Sequence, residues 1–108
     1  MKPIKLSETE RKKPLSYDQI GKKFLYLKDI QEGAFFSPSA LDQETQRILT
    51  IKRLEMEEPF SIESLKAMDK DQMIEEVRQG TERGKEIIKT EIRYLEETIK
   101  EIQKGDLV

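Results

Sequence analysis

A chain of 108 residues with 35% apolar residues supports one domain with a modest core. Charged residues make up 39%, with five Gly and four Pro, a composition that leans toward helix and away from collagen-like or proline-rich chains. With no Cys and no His, disulfides, a Cys/His zinc site and His- or Cys-based catalysis are excluded.

The 20 basic and 22 acidic side chains give a formal net charge of −2, too balanced for a dedicated duplex-DNA binder. The distribution is uneven. Lys2, Lys5, Arg11, Lys12 and Lys13 oppose only Glu8 and Glu10 in residues 1–15, whereas residues 59–108 carry a net of −3. The expected organisation is therefore a basic N-terminal arm, 1–15, and a helical domain, 16–108. No apolar run approaches 18 residues and no apolar leader opens the chain, so no membrane span and a cytoplasmic setting are expected.

Ser16 with Gln19 matches a capping box, and Tyr17, Ile20, Phe24 and Leu27 recur at spacings of three and four. This pattern predicts a helix near 16–32 that stops by Gly33, with Gly21 as its weak point. Phe35 and Phe36 follow as an apolar hinge that plugs two helices or anchors a partner. Ser37-Pro38 predicts the start of a second helix, 38–57, with Leu41, Ile48, Leu49, Ile51 and Leu54 over a wide arc. Glu58-Pro59 ends it, and a short helix is expected over 62–68.

Asp69, with Gln72 three residues on, reads as the N-cap of a last helix, 70–104. Ile74, Val77, Thr81, Gly84, Ile88, Ile92, Leu95, Ile99 and Ile102 hold one phase within about 40° at 100° per residue. The preserved phase favours one continuous helix kinked at Gly80. The alternative is a break there, with Gly80 as a left-handed stop and Thr81 as a new N-cap. A continuous helix would be about 52 Å long, more than the roughly 34 Å across a compact domain of this size. Its end would then project and expose the stripe, as a partner site does. The fold class expected is all-α: a small bundle of four to five helices with a long, kinked C-terminal helix and no sheet.

Chemistry-bearing patterns are sparse. Neither GxGxxG nor GxxxxGK[ST] occurs. Gly80-Thr81-Glu82-Arg83-Gly84 reads as a kink plus a close-packing point in preference to an anion cradle. Asp69, Asp71, Glu75 and Glu76 are the carboxylates a Mg²⁺-dependent all-α phosphohydrolase would use, but capping and ordinary solvation account for them more simply. Arg11, Lys12 and Lys13 would grip phosphates in a nucleic-acid-binding regulator, although no aromatic residue interleaves with them.

The sequence thus favours a non-enzymatic protein–protein interaction module: an adaptor, assembly subunit or inhibitor. Its expected interface is Ile88, Ile92, Leu95, Ile99 and Ile102, with Phe35 and Phe36. The expected partner is a protein or a second copy, with no cofactor and no resident metal.

Overall fold

The structure is a computed structural model and describes residues 3–33, 36–57 and 69–108. Ser7 opens α1, Glu8–Lys12, its hydroxyl accepting from the Glu10 N–H at 3.2 Å. Pro14 and Leu15 lead into an antiparallel hairpin of β1, Ser16–Asp18, and β2, Lys23–Leu25. A short α2, Leu27–Gln31, follows. A single 3-10 turn, Pro38–Ala40, precedes α3, Gln43–Glu55. α4 spans Lys70–Gln79 and α5 spans Glu82–Gln103.

The described residues are mostly helical with a long C-terminal helix, and they add one small two-stranded sheet to the expected all-α bundle. The expected helix over 16–32 is a hairpin followed by five helical residues. Its turn explains the difference. Asp18 Oδ1 accepts from the N–H groups of Ile20 and Gly21 at 3.0 and 2.9 Å. That local alternative competes with a helix already weakened by Gly21. Lys22 then takes a positive φ of 55° and reverses the chain. Tyr17 and Phe24, which helical spacing placed on one face, instead lie directly opposite each other across the strands. Their rings meet edge to face at 5.2 Å. Ser16 is no helix cap: it is fully buried and its hydroxyl donates to the Phe36 carbonyl.

The second helix starts later than expected. Pro38 does open a turn, but Leu41 is extended at ψ 150° and Asp42 is the true N-cap, accepting from the Thr45 N–H at 2.7 Å. The expected helix over 62–68 and the Pro59 stop lie outside the described residues.

The continuous helix 70–104 is also corrected, in favour of the break at Gly80. Gly80 is left-handed at φ 69°, ψ 32°, and ends α4. Thr81 caps α5 by accepting from the Gly84 N–H at 3.0 Å. The phase of the apolar stripe survives the break because both helices face the same interior. Gly84 is the close-packing point. A Cβ there would lie 2.1 Å from the Glu76 carbonyl oxygen and 3.0 Å from the Val77 Cα, so only hydrogen lets the two backbones approach.

Breaking the helix removes the reason for a projecting end. The 22 residues of α5 span about 33 Å, within the 37 Å long axis of the molecule. Leu15, Leu25, Leu27, Ile30, Leu41 and Leu49 cover its stripe and form one core with Ile92, Leu95, Ile99 and Ile102. The N-terminal residues are part of this body. Ile4 and Leu107 form a parallel bridge. Leu15 is fully buried, and its N–H donates to the Leu25 carbonyl at 2.7 Å.

Candidate interaction groove

The close crossing of α4 and α5 at Gly84 leaves a groove between those helices and the start of α3. Val77, Ile88 and Ile92 supply its apolar lining, beside Gly80. Gln43, Gln46 and Arg47 reach it from α3, and Lys85 and Lys89 from α5. Its volume is about 420 Å³, within the range of ordinary ligand and side-chain pockets. Among the described residues that line it, three are cationic and none is acidic.

Neighbouring groups hold these cations loosely. Arg47 pairs with Glu44 one turn away and donates to the Arg78 carbonyl at 3.3 Å. Lys85 stands 3.4 Å from Glu82, both side chains exposed. Exposed pairs of this kind contribute about 0.2–1 kcal/mol and exchange readily. Lys89 has no ion-pair partner among the described residues. The lining offers hydrocarbon, amide groups and cationic donors, which suits recognition of apolar groups and carboxylates.

The sequence-predicted interface divides. Ile88 and Ile92 border the groove. Leu95, Ile99 and Ile102 are 0, 1 and 6% exposed, so they are the chain's own core and offer no free stripe. Phe36 packs against that core, which makes it a plug, while Phe35 lies outside the described residues. Arg47, Lys85 and Lys89 line the groove without any distinguishing signal in the sequence. They sit among many similar charges, and only the crossing of distant helices singles them out.

The three basic residues of the N-terminal segment do not form one phosphate grip. Arg11 and Lys12 are exposed, and Arg11 donates to the Val108 carbonyl at 3.4 Å. Lys13 is only 2% exposed and pairs with Glu10 and Glu57. The four candidate Mg²⁺ carboxylates are similarly dispersed. Asp69 caps α4, accepting from the Gln72 N–H at 2.9 Å. Glu75 pairs with Arg78, Glu76 accepts from the Thr81 hydroxyl, and Asp71 is exposed. Among the described residues no group of three or more metal-ligating side chains converges. Also among these residues, no helix is long and apolar enough to cross a membrane.

Two polar clusters hold the walls of the molecule. Arg53, 3% exposed, donates to Glu91, to Glu10 at 2.8 Å and to the Pro14 carbonyl at 2.9 Å. Its guanidinium also lies 5.6 Å from the Tyr94 ring centre. Burial alone would lower its pKa, but the charges of Glu91 and Glu10 outweigh that and raise it. On the other side, Glu96 clamps the 3-10 turn onto α5. Its carboxylate accepts from the Ser37 hydroxyl, and at 2.8 Å from both the N–H and hydroxyl of Ser39. Partial burial pushes the Glu96 pKa up. The hydrogen bonds from Ser37 and Ser39, and Lys100 nearby, overcome this and hold it below the ordinary value.

Comparison with known proteins adds no identification: no family model, no curated protein and no solved structure matches this chain.

Proposed function

We propose that the protein is a non-enzymatic interaction module that docks a segment of a partner protein in the groove between α3, α4 and α5. The observation that carries this reading is the groove of about 420 Å³ in which Ile88 is half-buried beside the buried Val77 and Ile92, with Arg47, Lys85 and Lys89 around it. Interfaces combine an apolar centre with a polar rim in this way. Ile92, Leu95, Ile99 and Ile102 are taken up by the chain's own core, so docking falls to Ile88 and the cations around it.

Amide chemical shifts report on this reading directly. The probe is a designed amphipathic peptide of about 15 residues, with leucines at helical spacing and glutamates on the flanks. Titration into labelled protein should move the Val77, Ile88, Lys89 and Ile92 signals together and saturably. Shifts that avoid these residues, or none at millimolar peptide, defeat the groove as a docking site.

A further inference from the structure

We infer that the partner segment is acidic: an amphipathic helix with carboxylates one turn apart beside its apolar face. This inference rests on the groove reading above and adds the chemistry of the occupant. Lys85 and Lys89 are four residues apart on α5, so they stand on one face with about 6 Å of rise between them. Arg47 faces them from α3, placing cations on both walls of the same apolar strip. The chain carries 22 acidic side chains against 20 basic, yet among the described residues no carboxylate lines the groove. The charge of the site therefore opposes the charge of the whole chain.

A docked helix places its apolar side chains on the half-buried Ile88 and on the hydrocarbon stems of Lys85 and Lys89. Glutamates or aspartates at i and i+4 then meet Lys85 and Lys89, the same spacing on both helices. Glu82 and Glu44 are displaced from their exposed pairs at little cost. Charge complementarity here governs which partner is accepted, while the apolar strip supplies the contact area.

The test compares three fluorescein-labelled versions of the designed leucine peptide, with two Glu, two Gln or two Lys at the flanking positions. Binding is followed by anisotropy and amide shifts. The Glu peptide should bind about tenfold tighter than the Gln peptide at low salt, and lose that advantage as salt screens the pairs. K85E with K89E should reverse the order in favour of the Lys peptide. Both positions are exposed, and circular dichroism checks that the variant is folded. Equal binding of Glu and Gln peptides, with shifts still at Val77, Ile88 and Ile92, overturns the acidic partner and leaves the groove reading standing. Failure of all three peptides to shift those residues overturns both. A protein that already dimerises through these residues, shown by light scattering and by their shifts on dilution, identifies a second copy as occupant and also overturns the acidic partner.

Discussion

At the scale of single residues, the buried charges carry the sharpest consequences. Arg53 joins three segments: Glu10 and Pro14 from the N-terminal part, Glu91 from α5, and its own α3. Arg53→Ala should destabilise the fold by about 3–5 kcal/mol in urea unfolding, because partly buried carboxylates and a carbonyl lose their donor. Arg53→Lys should recover only part of this loss, since one ammonium cannot reproduce donors aimed at three acceptors. Glu96 makes a pH-dependent contribution. Its folded pKa is depressed, so the stabilisation is complete above the unfolded value of about 4.3 and is lost as pH falls through the folded one. The protection factor of the Ser39 amide, its exchange rate relative to the intrinsic rate at the same pH, should therefore fall in acid. Glu96→Gln should flatten that dependence and cost about 1 kcal/mol at neutral pH, a figure kept low because water still reaches the carboxylate.

At the scale of elements, Gly84 sets the crossing of α4 and α5. Gly84→Ala gains about 1 kcal/mol of helix propensity, but its methyl group would enter the Glu76 backbone. Backbone cannot rotate away, so the net effect should be destabilising by about 2 kcal/mol, with a lowered Tm, and Val77 and Ile88 amide signals should move as the helices part. Much of this element was legible in the sequence. Gly84 fitted a packing point, and Gly80-Thr81 offered a stop and a cap. The apolar stripe keeps phase through the break, so its spacing alone favours a continuous helix. Periodicity reports which face is buried, and two helices packed on one core preserve it as well as one helix does. The hairpin was illegible for a related reason. Tyr17, Ile20, Phe24 and Leu27 have helical spacing, while the decisive events are Asp18 accepting its turn amides and Tyr17 meeting Phe24 across strands. The groove was half legible: Ile88 and Ile92 carried an apolar signal, but the cations on its walls did not.

At the scale of the whole molecule, the fold closes on itself around α5. α2 and the 3-10 turn pack against α5, the hairpin packs against α2 and α3, and Ile4 bridges Leu107 near the two ends of the chain. This arrangement decides what the apolar stripe is for. Leu95 and Ile99 are 0 and 1% exposed, and fully burying each such side chain is worth about 1.5–3 kcal/mol. Charging both places two carboxylates in that core without cationic partners, a cost beyond the stability of most domains of this size. Leu95→Glu with Ile99→Glu should therefore abolish the helical circular dichroism signal and the cooperative thermal transition. A helix whose stripe served only a partner would instead leave a folded monomer. Lys85→Glu with Lys89→Glu, on the open wall of the groove, should keep the transition within a few degrees of wild type. Measured side by side, the two double variants separate the half of α5 that builds the body from the half proposed to meet a partner. A folded, cooperative Leu95→Glu/Ile99→Glu protein would contradict this division and return the whole stripe to the interface.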